Sequence, residues 1–161
     1  MQEMPVTTNR FVGSIGDVVS DGTGEAGGTR RARSLPVADT VLIVDDDEAV
    51  LAVAAKILSR GGYEVTSAAG GTYALAKVDA VEGGISILLT DMVMPGMNGR
   101  ELGDEFTMRY PDVPILFMSA YTADEVLLRG LRLSDVNYIA KPFTVEGLRA
   151  KVRSVIDGAI G

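Results

Sequence analysis

Val41-Leu42-Ile43-Val44-Asp45-Asp46-Asp47 decides the fold, because four apolar residues, three of them β-branched, stop abruptly at three carboxylates. So short a run with no polar alternation reads as a strand buried on both faces. Downstream, Glu48 to Arg60 repeats its apolar residues at helical spacing and ends at Gly61-Gly62. The same unit recurs further along: Ile85-Ser86-Ile87-Leu88-Leu89-Thr90 runs into Asp91, Ile115-Leu116-Phe117-Met118 into Ser119, and Tyr138-Ile139-Ala140 into Lys141. Apolar strands alternating with amphipathic stretches are the pattern of βα units around a parallel sheet. The pattern predicts strands over 41–45, 63–67, 85–90, 114–119 and 137–140, and five helices over 48–60, 72–81, 99–109, 123–132 and 145–157.

Punctuation supports these limits. Asn98 with Glu101, and Thr122 with Glu125, have the spacing of a capping box, Thr144 stands where it caps the last helix, and Gly83-Gly84 closes the second. In an open parallel sheet the carboxyl ends of the strands form the rim where ligands bind. Asp45, Asp46, Asp91, Ser119 and Lys141 all fall at such ends, so residues almost a hundred positions apart are expected to converge. Three carboxylates, a hydroxyl and an ammonium suit a divalent cation beside a phosphoryl group.

Composition narrows the options. With no cysteine and no histidine, the chain has no thiolate, no imidazole base and no phosphohistidine of its own. Any histidine-borne phosphoryl group must come from a partner. A formal charge of −7 repels phosphate backbones, so nucleic acid is not an expected partner. No run approaches the roughly 18 apolar residues of a membrane helix, and the amino terminus lacks the features of a secretory signal. A cytoplasmic protein is expected, with no membrane partner. Residues 1–39, rich in Gly, Ser and Thr, bury too little to offset their ordering entropy and are expected to be a flexible, disordered extension. The small basic cluster Arg30, Arg31, Arg33 reads as a solvated linker.

The runs Val41 to Asp47, Asp91-Met92-Val93-Met94-Pro95-Gly96-Met97-Asn98-Gly99, Ser119-Ala120 and Tyr138-Ile139-Ala140-Lys141-Pro142-Phe143 together resemble the receiver domain of two-component response regulators. The resemblance covers 40–158 and is closest in flavour to receivers of hybrid histidine kinases. It implies an α/β, flavodoxin-like, doubly wound five-stranded parallel sheet of strand order 2-1-3-4-5. It further implies that Asp91 is the phosphoacceptor, that Asp45, Asp46, Asp91 and the backbone carbonyl of Val93 hold Mg²⁺, and that Ser119, Lys141 and Tyr138 bind phosphate and switch. Pro95, Gly99 and Pro142 would set loop geometry, with a cis Lys141-Pro142 bond aiming the lysine. The expected partner is a histidine kinase or histidine phosphotransfer protein, with a downstream protein target reading the face of the fourth helix, fifth strand and fifth helix. Turnover of a separate substrate is not expected.

Two departures from the family pattern stand out. Leu133-Ser134-Asp135 replaces a Gly or Ala pair before the fifth strand, and Val93 is apolar where many members orient the hydrolytic water, which predicts slow self-dephosphorylation. Asp47 and Glu48 read as acids favoured by the start of the first helix rather than as metal ligands. The competing reading is a haloacid-dehalogenase-type phosphohydrolase with Asp45 as nucleophile and Asp47 as acid and base. Ala49 fills a place where that family expects Thr or Val, and no cap insertion is present.

Overall fold

A computed structural model describes residues 37–120 and 136–160. The elements are β1 (Thr40–Val44), α1 (Glu48–Arg60), β2 (Glu64–Ala68), α2 (Gly71–Val78), β3 (Ile87–Asp91), α3 (Gly99–Arg109), β4 (Ile115–Ser119), β5 (Asn137–Ala140) and a C-terminal helix, here α4 (Val145–Ile160). The helix expected over 123–132, the Thr122 and Glu125 box, the Leu133-Ser134-Asp135 loop and the extension up to residue 36 lie outside the described residues.

All neighbouring strands are parallel, in the order β2-β1-β3-β4-β5 expected from the sequence. Alternation along β1 explains the double layer. Val41 and Ile43 pack with Ala54, Ile57 and Leu58 of α1 and Leu148, Val152 and Ile156 of α4. Leu42 and Val44 pack on the opposite face with Ala74 and Val78 of α2 and Leu102 and Phe106 of α3. A strand with helices on both sides needs apolar residues at every position, which is why the runs lack polar alternation.

Helix limits follow local chemistry. Asn98 and Glu101 form the reciprocal capping box on α3, and the Thr144 hydroxyl accepts from the Gly147 N–H at 2.9 Å at the start of α4. Helix α2 stops at Val78, three residues earlier than expected. There the Ala80 and Val81 N–H groups take the carbonyls of Lys77 and Val78, a tighter turn, and Gly83 and Gly84 follow at φ 80°. Strand β3 begins two residues late, where the Ser86 N–H donates to the Thr40 carbonyl and its hydroxyl accepts from the Thr40 N–H. Among the described residues, no helix is long and apolar enough to cross a membrane.

Candidate metal and phosphoryl site

Register brings the acids together. Val44 pairs with Thr90, so Asp45 and Asp91, each the next residue, emerge side by side at the carboxyl end of the sheet. Oxygen atoms of Asp45, Asp46 and Asp91 lie within 4.8 Å of one another. Asp45 and Asp91 are buried, and Asp46 is exposed on the solvent side. The Ser119 carbonyl accepts from the Lys141 N–H at 2.8 Å. The bond from Lys141 to Pro142 is cis, as expected. From there the Lys141 ammonium reaches Asp45 Oδ2 at 2.6 Å and Asp91 Oδ1 at 3.2 Å.

The Asp45 and Asp91 carboxylates are oriented by backbone. Asp45 Oδ1 accepts from the Asp47 N–H at 2.9 Å, and Asp91 Oδ1 accepts from the Met92 N–H at 3.0 Å. Burial raises the affinity of Asp91 for a proton, and Asp45 adds to it, while Lys141 and the Met92 N–H act in the opposite direction without cancelling them. Burial alone would weaken the hold of Lys141 on its proton, but hydrogen bonds and charge from Asp45 and Asp91 outweigh it, and the ammonium is retained.

Three carboxylates face one ammonium, so the cluster holds excess negative charge. Two carboxylates at this spacing repel by about 3 kcal/mol at an effective dielectric of about 20. Hard oxygen donors with surplus anionic charge and an open, solvent-facing side fit Mg²⁺, which takes oxygen ligands and keeps several waters.

The remaining expected residues have varied placements. Ser119 is fully buried at the end of β4, one step beyond Met118, the partner of Asp91 in the sheet. Tyr138 is half-buried and packs on Met92 and Phe117. Val93 is half-exposed in the loop after β3. Pro95 precedes Gly96 at φ 74°, the residue order of a type II turn. Gly99 is required by a close approach, since a Cβ there would lie 2.0 Å from the Asp91 carbonyl oxygen. Glu48 is the acidic residue in the first turn of α1, and Asp47 is the N-cap of that helix, accepting from the Ala49 and Val50 N–H groups. Its carboxylate is thus directed at helix backbone, which weighs against the acid and base role of the phosphohydrolase reading. The Met92 and Asp47 N–H donors had no residue-type signal in the sequence, whereas an Asp just before a helix start was a legible cap signal.

Residues 41–153 match the family model described as the response regulator receiver domain. The chain belongs to that family. Similar chains include the sensor kinase CckA of Brucella abortus, 32% identical over 128 residues, which are 79% of this chain and 13% of that protein. Sensory transduction protein RegX3 of Mycobacterium bovis is 32% identical over 117 residues, 73% of this chain and 50% of that protein. The structure of chemotaxis protein CheY4 of Vibrio cholerae is similar at a TM-score of 0.66 and 30% identity, covering 74% of this chain and 99% of that one. The receiver chain therefore spans half or less of the length of these two curated relatives. The match to a sensor kinase bears out the expected likeness to receivers of hybrid histidine kinases.

Proposed function

We propose that this receiver accepts a phosphoryl group onto Asp91 from a phosphohistidine on a partner kinase or phosphotransfer protein. The observation that carries the reading is the shared contact of Lys141 with Asp45 and Asp91, inside a cluster of three carboxylates at the sheet's carboxyl rim. Asp45, Asp46, Asp91 and the Val93 carbonyl would hold Mg²⁺, which when bound supplies positive charge to a phosphoryl oxygen. An Asp91 carboxylate oxygen attacks phosphorus, the P–N bond breaks, and the partner's imidazole leaves with the electron pair. Lys141 accompanies the charge on the transferring group, so the chain's contribution is positioning and charge stabilisation. The receiver catalyses its own phosphorylation and its slow dephosphorylation, with no separate substrate.

Output rests on Ser119 and Tyr138. The Ser119 hydroxyl moves toward the phosphoryl group, Tyr138 turns inward, and the face including β5 and α4 changes its partner preference. Charge-assisted hydrogen bonds contribute about 1.5 to 3 kcal/mol each, and moving a population from 1:99 to 99:1 takes about 5.5 kcal/mol. About two to four new contacts are required. Passing the phosphoryl group onward in a relay uses the same acyl phosphate. An apolar groove of about 410 Å³, lined by Ala49, Val50, Val53, Pro142 and Phe143 and opening beside Lys141, supports a protein partner over a small phosphate ester. The negative charge of the chain supports a partner other than nucleic acid, and the setting is cytoplasmic.

The test is intact-mass analysis after incubation with Mg²⁺ and a small acyl phosphate donor. One phosphoryl adduct is expected on the wild type and none on Asp91→Asn. An adduct of equal yield on both would refute Asp91 as the acceptor.

A further inference from the structure

Three consecutive aspartates hold three different positions, and the third has no part in the reading above. Asp47 is exposed, has extended backbone at φ −87° and ψ 108°, and turns its carboxylate into α1. Its Oδ1 accepts from the Ala49 N–H at 2.9 Å and the Val50 N–H at 3.4 Å, and its carbonyl accepts the first helical bond from Leu51. Its own N–H donates at 2.9 Å to Oδ1 of Asp45. The other Asp45 oxygen receives Lys141. The backbone of Asp45 is in turn tied to β2, its N–H donating to the Ala68 carbonyl at 3.2 Å.

One unbroken chain of bonds thus runs from α1 to the metal-ligand carboxylate. Helix α1 is itself anchored by Ala54, Ile57 and Leu58 in the core. We propose that Asp47 is a positioning residue for the metal site: as N-cap it fixes the turn whose amide holds the Asp45 carboxylate, and it acts through its acceptor oxygen rather than its charge. This rests on the assignment of Asp45 as a Mg²⁺ ligand. An exposed charge is screened by water, whereas a lost cap frees the N–H groups of the first turn. Partners that orient a metal ligand typically carry about tenfold to a hundredfold in metal affinity.

Acceptor and charge separate by substitution. Asn and Ser cap helices about as well as Asp, but neither carries its charge. Calorimetric titration of the full chain with Mg²⁺ should show Asp47→Asn and Asp47→Ser binding within about twofold of wild type, and Asp47→Ala about tenfold more weakly. Val155→Ala, a core truncation in α4, should lower thermal stability and leave Mg²⁺ affinity unchanged, which separates positioning from general destabilisation. Without metal, hydrogen exchange at the Asp47 amide should accelerate in Asp47→Ala and keep its wild-type rate in Asp47→Asn. Equal weakening in all three variants would assign the effect to charge and overturn the proposal, as would an Asp47→Ala variant with wild-type affinity or wild-type amide exchange. If the wild type binds no Mg²⁺, the metal assignment itself fails, and the amide exchange still decides whether Asp47 holds that turn.

Discussion

Asp91 is buried beside another carboxylate and is held by one lysine, and the balance of those effects has consequences for stability. Its folded-state proton affinity is raised above the ordinary value of 3.8, through burial first and Asp45 second. The native state therefore binds the proton more tightly than the unfolded chain. The associated stability is fully present below the unfolded value and is lost as pH rises through the folded one. Near neutral pH and without Mg²⁺, Asp91→Asn should be more stable than wild type in urea denaturation, and the advantage should vanish as pH falls toward 3.8. Saturating Mg²⁺ should reverse the order, adding about 2.7 kcal/mol to wild type at a hundred times Kd and less to the variant. Lys141 competes for the same oxygens, so Lys141→Met should tighten Mg²⁺ binding by about tenfold while slowing phosphoryl acceptance by about a hundredfold; calorimetry and a phosphorylation time course read the two separately. Val93→Asn should shorten the phosphoryl half-life, because it places a polar group beside the site where an apolar one now stands half-exposed. At this scale side-chain identity was legible: the acids, hydroxyl and ammonium ending apolar runs could be read directly. The amides of Asp47 and Met92 that aim the carboxylates could not, since every residue but proline carries one.

Elements position these residues by ending where they do. Strand β3 runs straight into Asp91, and α3 must start close enough for the Gly99 N–H to reach the Met92 carbonyl at 3.0 Å. Glycine is required there by space, with the Asp91 carbonyl 2.0 Å from where a Cβ would sit. Gly99→Ala should therefore destabilise by about 3 kcal/mol, in the range of overpacking strain, and lower phosphorylation by displacing Asp91. Gly158 in α4 has open space around its Cβ direction, and Gly158→Ala should instead stabilise by about 0.5 to 1 kcal/mol. Opposite signs for two glycines in one thermal-denaturation series check both assignments. Helix starts were the most legible boundaries, because Asn98 and Thr144 cap by side chain. The end of α2 was not legible, because the tighter turn after Val78 is made by backbone N–H groups of Ala80 and Val81 that any residue could supply.

For the whole molecule, one topological fact does most to create the site. Strand β1 lies between β2 and β3, so the chain reverses direction across the sheet beside Asp45 and Asp91, where crevices form at the carboxyl edge. The double layer of helices was readable from the uniformly apolar strands, because only burial on both faces tolerates them. Strand order was not readable from periodicity, which is the same for any arrangement of βα units; it came with the resemblance carried by the motifs at the strand ends. Among the three clustered carboxylates, the one that carries the acyl phosphate separates the receiver reaction from that of a phosphohydrolase most directly. The direct measurement is reduction of the phosphorylated protein with borohydride, which converts an aspartyl phosphate to homoserine, followed by peptide mass spectrometry. Homoserine at position 91 and at neither 45 nor 46 is the predicted result, and homoserine at position 45 would contradict the account.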